Sequence, residues 1–395
     1  PDGGLRAWLV VLGAFLNFCT SFGVTNSFGT FQNYYDSHMK LSSDRSAWIG
    51  SLQLAILLLG GIVVGPIFDK RGSRILMIPG ALIVLISFLI NIFTQDFIAL
   101  VIAQGVLCGI GNGLLFHPAI SAVSEWFDNR RALALGLAIS GSSIGGVFWP
   151  IVVNVLLKCF GETDSSSNTP DASRALKWTF TIMLAISAPL LAIACCLVRE
   201  RVPRAQRNAG RKLTQVALTV ALFLIYLGYL IPFSYIPLFA KEQGIDESMQ
   251  NALLAICYAG SVFGRILPSW LGDKYGRFNV LILMSLITGV ITFSWPFMAT
   301  LPTLIAFSIL FGFVSGGLMP LGSACVAQIS PDLEHIGFRL GMAMAICSIG
   351  VLAGGPISGH LWEMYFDESG MQFFAGGATI LGAVVLTVAR FLSRR

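Results

Sequence analysis

The chain has 395 residues, 55% of them hydrophobic and 11% charged, with a net charge of +5; its mean hydropathy is +0.78. A soluble domain carries roughly a quarter charged residues. Half that density, strung along apolar runs, excludes a soluble enzyme, a nucleic-acid-binding module and a secreted disulfide scaffold.

A membrane-crossing helix needs about 20 mostly apolar residues. In chain order such runs fall near residues 7–35, 45–68, 74–94, 97–125, 131–160 and 176–198, then near 213–240, 247–271, 278–299, 302–329, 337–362 and 370–391. The first, from Trp8 to Phe31, is too long for a cleavable signal and lacks a small-residue cleavage site, so it is expected to span. Between Lys158 and Lys177 runs one polar external loop, and Arg199 to Lys212 is a short basic linker. The expectation is an all-α membrane protein of twelve helices, with one bundle over 1–199, a linker over 200–212 and a second bundle over 213–395.

The 8 cysteines lie almost entirely inside the apolar runs, without CxxC pairs, and read as small packing residues. No Walker-type loop, metal-ligand cluster, nucleophile–base pair or dinucleotide fingerprint stands in the sequence. Neither a cofactor nor a metal is expected.

Charge asymmetry sets an orientation. With both termini cytoplasmic, 18 of the 25 lysines and arginines fall inside and 6 outside, leaving Arg265 within a span. The net positive charge is therefore a topology signal. The expected place is a plasma membrane, with vacuolar or other organelle membranes as alternatives.

The halves echo each other. Asp69 to Gly72 after the second span and Asp273 to Gly276 after the eighth share a spacing, at an offset of 273 − 69 = 204. Ser143-Ile144-Gly145 and Ser348-Ile349-Gly350 echo at 348 − 143 = 205. Two echoes at nearly one offset indicate a duplicated six-helix unit with substrate at the interface of the repeats.

GPIFDKRGSR (Gly65 to Arg74) and SWLGDKYGRF (Ser269 to Phe278) resemble the repeated signature of the major facilitator superfamily. PDGGLRAWLVVLGAF (Pro1 to Phe15) and WFDNRRALALGLAISGSSIGG (Trp126 to Gly146) resemble the opening and fifth-span motifs of its monocarboxylate transporter family, most closely the fungal branch. The resemblance covers essentially the whole chain. It implies the major facilitator fold, two pseudo-symmetric bundles working by alternating access.

The motif residues Asp69, Arg74, Arg130, Arg131, Asp273 and Arg277 are the expected gate. A carboxylate there can cap a neighbouring helix N-terminus or pair with arginines across the bundles, with Arg130 and Arg131 as partners for Asp69. The alternative is a solvated loop charge that only sets topology.

Arg265 is the leading site residue. It stands 8 residues before Asp273, or about 12 Å along a helix. A charge at that depth costs about 2.5–3.5 kcal/mol and marks a functional site by default. Its planar fork suits a carboxylate. The resemblance makes it the anion anchor; the alternative is a structural arginine bonded to helix carbonyls.

Two positions depart from the family pattern. Classical proton-coupled members carry a lysine where Asn26 stands and an aspartate where Ser261 stands. Neither residue titrates, so classical lactate–proton symport is not expected. Phe22, one turn from Asn26, is a candidate wall residue, and His117 is either a proton carrier or a bonded packing histidine.

The function expected first is transport of a monocarboxylate or related organic anion, as a monomer in lipid, with protons as a candidate second partner and no nucleic acid. Alternatives are a carrier of a larger vitamin-like or aromatic solute, including a riboflavin-type solute or an exported secondary metabolite, and a membrane sensor. The absence of a signalling tail after Arg395 weighs against the sensor.

Overall fold

The computed structural model describes residues 3–38, 43–94, 96–161, 172–201, 212–330, 335–364 and 369–394. Within them the chain is all-helical, and twelve helices are long and apolar enough to cross a membrane. The spans run Leu5–Gln32, Trp48–Arg71, Arg74–Phe93, Phe97–Trp126, Arg131–Gly161 and Arg174–Leu197 in the first half. In the second half they run Leu213–Glu242, Ala252–Tyr275, Arg277–Phe297, Leu301–Gln328, Ile336–Trp362 and Ser369–Ser393. They are called spans one to twelve below.

Lipid as solvent explains which faces turn out. In span three Ile75, Ile78, Leu82, Ile86 and Leu89 are exposed, while Leu76, Met77, Val84 and Phe88 are buried. Both faces are apolar, so the buried one is chosen by packing rather than by water. Small residues make that packing close. A Cβ on Gly141 or Gly145 of span five would collide with the carbonyl oxygens of Phe15 or Cys19 in span one. The Trp149 indole N–H then donates to Cys19 O at 2.9 Å.

Several spans are interrupted where hydropathy reads as continuous. Span one breaks at Ser27, span two at Gly60, span seven at Leu230 and span ten at Gly317. Span four carries a π-helical stretch, Val101–Leu107, after its first α-helical turn, Phe97–Leu100. Irregular backbone at membrane depth survives only where protein covers it or it lines a cavity.

Spans eight and five pack across the halves, as do spans two and eleven. These two crossings place the residues singled out from sequence.

Candidate functional site

At the end of the helices that carries the described termini, each crossing is closed by one carboxylate. The backbone N–H groups of Gly337 and Phe338 donate to Asp69 Oδ1 and Oδ2, both at 2.8 Å. The N–H groups of Ala132 and Leu133 donate to Asp273 Oδ1 and Oδ2 at 3.1 and 2.8 Å. Each acid therefore satisfies two orphan donors in the first turn of the opposing helix, where the helix dipole also favours negative charge. The acids are held in place by turns only glycine makes easily: Gly72 has φ 87° and Gly276 φ 97°.

Of the two arrangements open from sequence, the structure has the helix cap, and this corrects the partner expected for Asp69. The acid facing the start of span five is Asp273. Arg131 is turned back onto its own turn, donating to Ser124 O at 3.1 Å and Phe127 O at 2.8 Å, with Asp128 at 3.4 Å. Arg277 braces Asp273 at 2.9 Å and also donates to Asp128 O. Arg130 and Arg74 are exposed. Beside Arg74 it is Ser73 that is tied down, its N–H and hydroxyl donating to Glu200 Oε2 at 3.1 and 2.6 Å.

Further along the same crossing lies Arg265. Its guanidinium donates to Ile139 O at 2.7 Å and to Ser142 Oγ, both in span five. The Arg265 Nε is buried without a hydrogen-bond partner among the described residues. Ser261, one turn along, meets Ser143 Oγ at 2.6 Å. Asn26 joins from span one, its amide 3.5 Å from Ser142 O. A Cβ on Gly146 would lie 3.0 Å from Asn26 Nδ2 and 3.2 Å from the Tyr258 ring. Tyr226, Tyr229 and Tyr258 lie within electrostatic reach of Arg265, and Phe233 stacks on Tyr258 at 5.3 Å. The structure thus brings Arg265, Ser261 and Asn26 together through span five.

It does not bring His117 into these contacts. The His117 Nε2 is 3.1 Å from Leu57 O, beside the break in span two, and its ring abuts Gly61 at the other crossing. Phe22 packs on Phe116 with ring centres 5.0 Å apart. The polar residues of spans one, two and four bond mainly to one another. Gln53 donates to Thr25 Oγ1 at 3.1 Å, Asn112 to Ser21 O at 3.3 Å, and Asn17 to Leu115 O at 2.9 Å. Tyr35 donates to Gln104 at 2.8 Å, tying the π-helical stretch to span one's continuation.

Sequence reasoning missed Ser142, Tyr258 and Gly146 as site neighbours. The 205-residue echo around Ser143 was the signal that could have found them.

With two repeated crossings on the page, comparison with known proteins decides the lineage. The model of the Major Facilitator Superfamily matches residues 13–220 and again 218–395. The chain belongs to the major facilitator superfamily. It is therefore a multi-pass integral membrane transporter and not an enzyme. It is 38% identical over 404 residues to the MFS-type transporter pynF of Aspergillus niger, covering 99% of this chain and 90% of that one. It is 36% identical over 401 residues to the aspyridones efflux protein apdF of Emericella nidulans, covering 100% and 79%. The agnestins efflux protein AgnL12 of Paecilomyces divaricatus is 32% identical over 395 residues, covering 98% and 87%. Two of these three fungal relatives are named as efflux proteins, of aspyridones and of agnestins, and none of the three is named as a monocarboxylate carrier. Among solved structures, the E. coli fucose:proton symporter FucP superposes with a TM-score of 0.76 at 16% identity, over 98% of both chains. The human organic anion transporter MFSD10 does so with 0.77 at 14%, over 97% and 100%. At such identity the likeness concerns the fold.

Proposed function

We propose that this superfamily member exports an acidic secondary-metabolite-type solute by alternating access, with Arg265 gripping its anionic group. The observation that carries the reading is the Arg265 fork inside span eight, one nitrogen unpaired, in a crossing between the halves. Tyr258, beside Gly146 and stacked on Phe233, supplies an aromatic face suited to a large unsaturated body. The names of two relatives as efflux proteins support outward transport.

In this reading the bundles 1–199 and 213–395 rock about the 200–212 linker, and one chain is the transport unit. The end closed by Asp69 and Asp273 faces the cytoplasm, by the excess of lysine and arginine there, in a plasma membrane. Opening it breaks both caps together.

A small monocarboxylate shares the same anchor and is the second reading. Cells expressing the chain, loaded with a panel of acidic metabolites of increasing size and their neutral esters, separate the two. Faster loss of the large acids supports metabolite export. Loss confined to small acids supports the monocarboxylate reading, and equal loss of acids and esters removes the anionic anchor.

A further inference from the structure

The two crossings are copies of one another, so their differences carry information. Adding 204 along span two, or 205 along span five, gives each residue's counterpart. Asp69 maps to Asp273, Ala132 to Gly337 and Gly136 to Gly341, and both members of each pair do the same job. By the same rule Arg265 answers to Gly61 (265 − 61 = 204) and Ser261 to Leu57 (261 − 57 = 204).

At spans two and eleven the crossing closes backbone to backbone, with the His117 ring of span four beside it. A Cβ on Gly61 would stand 2.6 Å from Gly341 O. At spans eight and five the same place holds a guanidinium bonded to Ile139 O and Ser142 Oγ, with a serine pair one turn on. Helix approach alone does not require those bonds, because the other copy manages with a glycine at the corresponding place.

The hydroxyl directions are fixed locally. Ser142 donates to Ile139 O at 3.0 Å, which turns its lone pairs to Arg265. Ser261 donates to Tyr258 O at 2.9 Å, so Ser143 is the donor within the serine pair.

We infer that Ser142 and Ser143, with the Ile139 carbonyl, form a polar latch that holds span eight on span five through Arg265 and Ser261, and that an anion gripping Arg265 releases it. Both serines are positioning residues, and the inference rests on the reading of Arg265 as anion anchor. A carbonyl and a hydroxyl are neutral acceptors, whereas a carboxylate makes charge-assisted bonds roughly twice as strong and takes two donors of the fork at once. Both span-five bonds are made by Nη1, so an anion that takes Nη1 as one of its two donors draws the guanidinium from span five. What remains at mid-crossing is one serine pair, and closure at the capped end weakens. A neutral solute of the same shape makes no such claim, so the latch also reads charge.

The amides capped by Asp273 and Asp69 report closure without a substrate. Hydrogen exchange is followed at Ala132–Leu133 and Gly337–Phe338 in lipid nanodiscs, for the full chain and two variants. Ser142→Ala should speed exchange at both caps together by about fivefold, the change that one net hydrogen bond brings. Ser142→Thr, which keeps the hydroxyl, should match the parent chain. No change in Ser142→Ala, or acceleration at Ala132–Leu133 alone (fraying of span five), would overturn the latch. In the parent chain benzoate should speed both caps and benzamide should not. If benzoate has no effect while Ser142→Ala still accelerates both, release by anions is overturned together with the anchor reading, and only the tie survives.

Discussion

Arg265 stands in span eight at the place Gly61 occupies in span two, and both sit where their span crosses the opposite half. The fold needs a close approach there, which Gly61 provides against Gly341 and Gly136 provides beneath Arg265. The guanidinium itself is an addition. Arg265→Ala should accordingly express and melt near the parent chain while transport affinity for an acidic substrate falls roughly 10- to 100-fold, the worth of hydrogen bonds to a charged group. Arg265→Lys keeps charge but loses the fork and should recover little. Uptake within twofold of the parent would make Arg265 structural.

The paired caps predict a kinetic phenotype. Asp69→Asn and Asp273→Asn each keep one acceptor oxygen and lose the charge facing a helix N-terminus, about 0.3–1 kcal/mol. Each should shift the opening equilibrium two- to fivefold, changing turnover while substrate Kd stays within twofold. Collapsed affinity with unchanged turnover would contradict a gating role.

The glycines at the second crossing are spatially demanding. A Cβ on Gly61 would meet Gly341 O at 2.6 Å and the His117 ring at 2.7 Å, and one on Gly65 would collide with Gly337 O. Gly61→Ala and Gly65→Ala should cut transport at least about tenfold by propping the crossing open, since overpacked close contacts force backbone shifts. Gly29→Ala and Gly355→Ala, with nothing within 4 Å, are the controls and should behave as the parent. Equal activity in all four would show that this contact does not limit cycling.

Proton coupling through the site is expected to be weak. Ser261 and Asn26 bond Ser143 and span-five backbone but carry no titratable group. His117 sits at the other crossing, bonded to Leu57 O. His117→Gln, whose amide can still donate to that carbonyl, should leave uptake and its pH profile unchanged. His117→Ala loses a buried hydrogen bond and should destabilise by about 0.5–1.5 kcal/mol. Proteoliposomes with a pH step and clamped potential provide the check. Strong acid-driven accumulation abolished by His117→Gln would restore the proton-carrier role.

The parts legible in the sequence are those written in charge or in run length. Apolar runs marked the spans because lipid punishes any other composition. Asp69, Asp273 and Arg265 stood out because a charge beside or inside such a run is rare. The breaks at Ser27, Gly60, Leu230 and Gly317 were hidden, since one residue's change of dihedral leaves hydropathy untouched. Ser142 and Gly146 were hidden for a related reason. Small residues are common in membrane helices, and only the partner across the interface distinguishes a latch or a slot from ordinary packing. Capping was one of the two roles read for Asp69, but which helix it caps was hidden, because a helix N-terminus is written only in backbone.

Counterflow into proteoliposomes separates an anion anchor at Arg265 from a structural arginine. An acidic metabolite that the chain exchanges is compared with its methyl ester, in the parent chain and in Arg265→Ala. The acid should be exchanged by the parent alone, and the ester poorly by both. Equal exchange of acid and ester by the parent, or undiminished exchange of the acid by Arg265→Ala, would contradict the anchor.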